Sequence, residues 1–193
     1  DTALDRAEGS LTHSSTSGDL RLGSLKGNLE SDTVSGDITL GRAEGQMDLT
    51  TSSGEIRLQE GNGSLSSQTI SGDIRADRFT GSFRLDSTSG CVSVLEGTSH
   101  GTAETTSGDI RISSSPLEGE LTLSSTSGDI DLKFPKQASL SLDFSSTSGE
   151  CGPFFDDIIT YNKKRTKAQG AYNGGEYTLS VSTLRGDLQI TSY

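Results

Sequence analysis

The chain is poor in the residues that build a thick core or a reaction centre. Only 29% of its 193 residues are apolar, against roughly 45–50% in a typical globular chain. A broad globular interior is therefore not the expectation. No apolar run reaches 18 residues, which removes a membrane-spanning helix from the readings. Lys and Arg number 16 against 27 acids, for a net charge of −11. The clustered cations that a phosphate backbone requires are thus scarce, and neither nucleic acid nor an anionic membrane surface is the expected partner. The two histidines, His13 and His100, lie far apart with no motif around either. Without a nucleophile–base–orienter set beside them, the expectation is a non-enzymatic protein with no metal and no cofactor.

Two cysteines are too few for a disulfide framework. Cys91 and Cys151 follow repeat glycines three units apart, which is about 14 Å if each unit adds one strand spacing of about 4.8 Å. A disulfide needs Cα atoms within roughly 7 Å, so two free thiols are expected, with Cys151 in an apolar slot. No signal peptide is present and the chain opens at Asp1 without a methionine, so a trimmed or mature fragment is expected.

Twenty-four glycines, three prolines and many Ser and Thr would suit a disordered chain. Their placement argues otherwise. Thr-Ser-Gly-Asp-Ile stands at Thr106–Ile110 and again at Thr126–Ile130, with variants throughout. The glycines Gly18, Gly36, Gly54, Gly72, Gly90 and Gly108 are each 18 apart, followed by Gly128 and Gly149. A second series, Gly9, Gly27, Gly45, Gly63 and Gly81, falls midway. Such a fixed period is the signature of stacked solenoid units.

Two and four residues after each Ser-Gly glycine the chain is apolar, as in Ile38 and Leu40, Ile56 and Leu58, Ile110 and Ile112. Seven and five residues before it the pattern is mostly apolar as well, as in Met47 and Leu49, Phe83 and Leu85. Alternation at period 2 reads as strand, and the change of parity at the glycine reads as a corner. Stacked in register, the units form an all-β, parallel β-solenoid of the flattened β-helix type, 18–21 residues per coil; the spacing leaves the hand open, and a right-handed coil is expected from the general commonness of that hand. About nine coils at about 4.8 Å give a rod of about 43 Å. A three-sided hexapeptide helix fails, because Lys26, Glu44, Asn62 and Thr80 fill positions it needs apolar.

The hydroxyls one and three residues before each glycine share the inward parity and read as an internal ladder. Asp or Glu after the glycine (Asp19, Asp37, Glu55, Asp73, Asp109, Asp129) and Arg two further on (Arg21, Arg57, Arg75, Arg111) read as a charge-balanced outer face with diagonal ion pairs across coils. The Gly-Gly-x-Gly-x-Asp spacing of calcium-binding nonapeptides is absent. Arg185-Gly186-Asp187 reads as one more corner, not as an attachment tripeptide, and Asn62-Gly63-Ser64 as part of the midway series.

The chain thus reads as a single domain over residues 1–193, broken by an irregular insertion or cap over 152–176, after which Tyr177–Ile190 restore a final coil. The insertion carries the candidate binding residues Phe154, Phe155, Tyr161, Lys163, Lys164 and Arg165, since exposed aromatics beside cations suit partner recognition. The plainer reading, and the favoured one, is a lid over the open edge of the solenoid.

Phe134-Pro135, Ala138-Ser139-Leu140, Ser146-Thr147-Ser148-Gly149-Glu150, Asn173-Gly174-Gly175 and Leu184-Arg185-Gly186-Asp187-Leu188-Gln189-Ile190 occur in that order. The sequence so resembles the bacterial adhesin family of β-strand repeat domains, a domain-of-unknown-function family with Ser-Gly-Asp coils. That resemblance implies a parallel β-solenoid and association with the bacterial cell envelope or the extracellular side, and it supplies no catalytic residues. The expected function is an adhesin-like binding or scaffold module meeting protein or glycan at the cell surface. The alternative is a self-assembling subunit resembling the bactofilin polymers, and a third reading is a carbohydrate-active β-helix enzyme.

Overall fold

The computed structural model describes residues 1–113, 117–152 and 159–193, and it is all strand and turn. Five long strands come first: β1 (Thr2–Ser17), β2 (Leu20–Ser35), β3 (Ile38–Ser53), β4 (Ile56–Ser71) and β5 (Ile74–Ser89). Each bends once and forms a whole coil, paired in parallel with the next at an offset of one repeat. Thr2 lies opposite Leu20, Gly9 opposite Gly27 and Ser17 opposite Ser35, and the same register carries β2 onto β3, β3 onto β4 and β4 onto β5. The next two coils are split in half: β6 (Val92–Glu96) with β7 (Ser99–Ser107), and β8 (Ile110–Ser113) with β9 (Leu121–Ser127). The result is a parallel β-solenoid of about seven turns, not nine.

The shortfall lies at the distal end, where sequence order and spatial order part. β10 (Ile130–Phe134) stacks on β8, but β11 (Leu140–Ser146) does not stack on β9. The hairpin β12 (Thr160–Tyr161) and β13 (Lys167–Tyr172) intervenes, and then β14 (Tyr177–Arg185) slides between β9 and β11 while β15 (Leu188–Ser192) pairs with β10. The coil expected to finish the rod is thus an inner layer. The true end is β11, covered by β13 and then β12 running antiparallel.

The inward side chains explain the coil. Burial in β2 follows Leu20, Leu22, Leu25, Leu29, Ser31 and Thr33, and the equivalents in β3 are Ile38, Leu40, Ala43, Met47, Leu49 and Thr51. The residue at the Leu25 and Ala43 position, just before the midway corner, breaks the period of 2, so the sequence pattern does not reveal it. There Phe79 fills space left by Gly61, since a Cβ on Gly61 would lie 2.8 Å from Phe79 Cδ2. At about 25 cal/mol per Å2 of apolar surface removed from water, each such layer supplies the main driving force for stacking.

Both kinds of corner leave no room for a Cβ above the stacked carbonyl, and the midway corner adds a second demand. At the midway corner Gly27 has φ +137, a conformation L side chains rarely adopt. At the Ser-Gly-Asp corner the demand is space, because a Cβ on Gly72 would run into the Gly54 carbonyl oxygen stacked beneath it. Just before this corner the chain turns outward. The Thr or Ser three residues ahead is buried, and at Thr51, Ser87 and Thr105 it donates its hydroxyl to the carbonyl of the preceding corner glycine (Thr51 to Gly36 at 3.3 Å, Thr105 to Gly90 at 3.2 Å), while Thr33 and Thr69 in the same row are buried without a partner. The serines directly before the glycine, Ser35, Ser53, Ser71 and Ser89 among them, are exposed, so the hydroxyl ladder is single and not double.

Candidate functional site

The acid row comes first because it is the longest run of chemistry on the surface. Each corner Asp turns one carboxylate oxygen back on the stack and accepts the backbone amide of the following corner. Asp19 takes the Asp37 amide at 3.1 Å, Asp37 the Glu55 amide at 2.9 Å, Asp73 the Cys91 amide at 2.8 Å and Asp109 the Asp129 amide at 3.1 Å. The ladder follows spatial order through the distal swap: Asp129 accepts from Asp187 and Asp187 from Glu150. It breaks, among the described residues, only after Glu55, whose longer side chain does not make the bond, and after Cys91, which has no carboxylate. The Asp37 amide holds the Asp19 carboxyl below its ordinary value, with Arg21 adding to the pull. Arg21 and Arg111 pair with the acid two residues back in their own strand, Asp19 and Asp109, both at 2.6 Å. Pairs across coils do occur, but to Asp77 and Asp131, not to the corner acids as the diagonal reading expected. The row is therefore a structural rail, and among the described residues no group of three His, Cys, Asp or Glu side chains could hold a metal ion.

The irregular segment differs in kind. Its described part is a tight turn between β12 and β13, built by Asn162. The Asn162 carbonyl accepts the Arg165 amide at 3.0 Å, its Oδ1 accepts the Lys167 amide at 3.1 Å, and its Nδ2 donates to Thr166 Oγ1 at 2.8 Å. Arg165 sits at φ 53, the left-handed region, with its guanidinium carbon 5.0 Å from the Tyr161 ring centroid. Tyr161 is half-buried and packs against the core, so it covers the end of the solenoid. The backbone ties the turn down: Ser146 donates to Thr166 at 2.7 Å and Cys151 to Arg165 at 2.8 Å. Cys151 lies beneath it, 1% exposed, and burial pushes its thiol up to about 11, against a smaller opposing pull from Arg165. Both cysteines are free, as expected.

Of the sequence-predicted site residues, Tyr161, Lys163, Lys164 and Arg165 are brought together on this turn, while Phe154 and Phe155 lie outside the described residues. Lys163 and Lys164 are exposed at its tip. Along the coils, Arg6, Arg21, Lys26, Arg42, Arg57, Arg75, Arg78, Arg84 and Arg111 all have a carboxylate partner. Among the described residues, Lys163, Lys164, Arg165 and Lys167 have none within 4.0 Å, nor do the more scattered Lys133, Lys136 and Arg185. Sequence reasoning missed the groove of about 380 Å3 beside the turn, floored by Phe144, Tyr161 and Ala168 and rimmed by Asp143, Lys167 and Gln169, where Gln169 Nε2 donates to Asp143 Oδ1 at 3.2 Å. Its only advance signal was Asn162, a turn former ahead of four cations. A larger groove of about 510 Å3 lies over β8, β10 and β15, but its Arg111 is already held by Asp109 and Asp131.

A family model described as Toastrack DUF4097 matches residues 61–191, more than half of the chain. No curated protein and no solved structure matches it.

Proposed function

The chain belongs to the Toastrack DUF4097 family of β-solenoid repeat domains of unknown function, and we propose that this member is a non-enzymatic, adhesin-like binding or scaffold module of the bacterial cell envelope. The solenoid is the rigid spacer and the Tyr161–Lys167 turn is the element that meets the partner, a protein or glycan of acidic character. One observation carries this reading: every cation from Arg6 to Arg111 is paired with an acid, whereas the turn gathers four cations within five residues, Lys163, Lys164, Arg165 and Lys167, with no such partner among the described residues. The turn is also held in shape by Asn162 before any partner arrives, which lowers the ordering cost of binding. On a chain of net charge −11 this cluster of cations is a local exception, so charge favours approach of an acidic partner here. The corner acids support a role without catalysis, since their carboxylates are engaged with backbone amides.

The test is binding of the purified protein to isolated bacterial cell-wall glycan and to envelope protein fractions immobilised on a sensor. Lys163→Glu/Lys164→Glu should weaken binding at least about tenfold, a loss of about 1.4 kcal/mol, and raised salt should weaken wild-type binding in the same direction. Equal binding by the wild type and the double variant would remove the turn from the reading. Turnover of a glycan by the protein would remove the non-enzymatic part.

A further inference from the structure

Each coil has two outer faces, one on either side of the midway corner, and they differ in charge. The face that follows the Ser-Gly-Asp corner mixes signs: Arg21, Arg57, Arg75 and Arg111 stand among acids and pair with them. The face that precedes that corner is acidic. Through β2, β3, β4, β5, β7 and β9 its outward positions carry Glu30, Asp32, Asp48, Asp86 and Glu104 against one cation, Arg84. Arg84 pairs with Asp86 at 3.0 Å, and the other acids of this face have no cation within 4.0 Å among the described residues.

The margin of the acidic face is apolar. Among the described residues from β2 to β14, the exposed large apolar side chains are Val34 (51%), Ile70 (56%) and Leu184 (44%), and each stands two residues before a corner glycine. The residues flanking that position pair from layer to layer, so it forms one row, completed without a charge by Ser52, Thr88, Thr106 and Thr126. The row runs between the acids just named and those of the corner rail, Asp37, Asp73, Asp109 and Asp129. A polar groove of about 380 Å3 follows it across β4, β5, β7 and β9. In that groove Asp86 Oδ1 is buried with no donor, and Thr69, 2% exposed, has an unpartnered hydroxyl. A buried carboxylate oxygen left without a donor is costly, and a ligand that brings an N–H group relieves that cost.

We propose that this face docks a cationic amphipathic helix of a partner protein, with its apolar stripe on Val34, Ile70 and Leu184 and its Lys or Arg side chains on the acids to either side. The backbone of these strands is already paired between layers, so nothing adds to the face as a further strand and contact is made through side chains. The spacing of the row suits a helix laid along the rod. Val34 and Ile70 are two layers apart, about 10 Å, and a helix returns to the same side after seven residues, about 10.5 Å. Leu184 is six layers from Val34, about 29 Å, so a helix of about 20 residues spans the row. The surplus of acids repels an anionic lipid surface and nucleic acid, and the row holds no aromatic ring on which a sugar stacks. This surface is separate from the Tyr161–Lys167 turn and selects the opposite charge.

The probe is a synthetic helix of about 20 residues with a leucine stripe of helical period flanked by lysines, and its control has the same composition in scrambled order. Fluorescence anisotropy should show the patterned helix binding the purified protein in the micromolar range and the scrambled one at least about tenfold more weakly. Ile70→Lys/Leu184→Lys should weaken the patterned helix at least about tenfold. Val34→Thr/Ile70→Thr, which repeats the threonine already present at Thr88 and Thr106, should keep the β-sheet circular dichroism signal and weaken binding in the same direction. Asp86→Asn/Glu104→Gln should weaken it about threefold and flatten its salt dependence. Glu44→Gln/Glu96→Gln, the same change of charge on the other face, should leave it unchanged. Lys163→Glu/Lys164→Glu should bind no more weakly than the wild type, which separates this face from the turn. No binding at about 100 µM, equal binding of the scrambled helix, or equal losses in the two carboxylate variants would each overturn the proposal.

Discussion

The first five coils and the last two obey the same corner chemistry but opposite rules of order. From β1 to β5 each coil lies on the one made just before it, at a constant offset of one repeat. Past β9 and β10 the chain leaves one level empty, lays down β11, folds the β12–β13 hairpin over it, and only then fills the empty level with β14 and β15. The regular part shows how a repeat extends. The distal part shows how it stops, since an open parallel edge needs a cover that does not itself invite another coil. An antiparallel strand of six residues followed by one of two does this. The division extends to charge: every cation from Arg6 to Arg111 is paired, and none from Lys133 onward is, among the described residues.

The comparison is tested most severely by removing one coil from each end of the sequence. Deleting Tyr177–Tyr193 takes out a layer with neighbours on both sides, so β9 and β11 both become bare edges. We expect loss of cooperative unfolding in urea and strong binding of a hydrophobic dye. Deleting Asp1–Gly18 removes a layer with one neighbour, and a single cooperative transition should survive at lower urea. Similar outcomes for both deletions would mean that β14 and β15 are not an inner layer.

A smaller difference separates the glycines of the two regions. Gly72→Ala drives a Cβ into the Gly54 carbonyl, so it should cost more than about 3 kcal/mol by urea unfolding, in the range of backbone-level disruptions. Gly174 has φ +98 with only Ser139 Oγ near, at 3.7 Å. Gly174→Ala should cost about 1–2 kcal/mol, the penalty for positive φ alone.

Smallest is the effect of the Asp rail. Asp37→Ala should cost about 1 kcal/mol, and Asp37→Glu nearly as much, because Glu55 in the same row makes no such bond. Asp143→Ala, which loses only the Gln169 contact at the cap, should cost less. The rail also sets a pH dependence. Asp19 is shifted below its ordinary value of 3.8 in the folded chain, so its contribution is present above that value and is lost as pH falls through the lower, folded one. NMR titration of the Asp19 carboxyl should give a midpoint under 3.8, moving towards that value in the fully unfolded protein.

Much of the regular part could be read from residues alone. Ile38, Leu40, Met47 and Leu49 alternate as a half-buried strand must, and the step of 18 gives the register. What escaped was set by the corners. Leu25, Ala43 and Phe79 are core residues, but a three-residue step separates them from Leu22, Leu40 and Ala76, so a period of 2 passes over them. Ser35 and Ser53 have inward parity but follow a chain that has already begun to turn. The distal swap left no local trace. Leu179, Val181 and Leu188 carry the same pattern as any coil, and a pattern shared by every layer cannot say which layers touch. At the cap, the cations and Tyr161 were legible as a cluster, while the groove with Asp143 and Gln169 arises only from bringing β11 beside β13.

The interleaved last coil has a consequence for synthesis. Chains grow from the N-terminus at about 5–20 residues per second, so β1 to β5 can stack in the order in which they emerge. The level between β9 and β11 has no occupant until Arg185 has been made. Until then the ribosome holds a rod with a missing rung, and a transcript cut short anywhere after Ser146 yields a protein that looks nearly whole yet has lost its keystone. Filling that level is thereby what closes the fold, and a product that stops short of β14 leaves the facing edges of β9 and β11 bare.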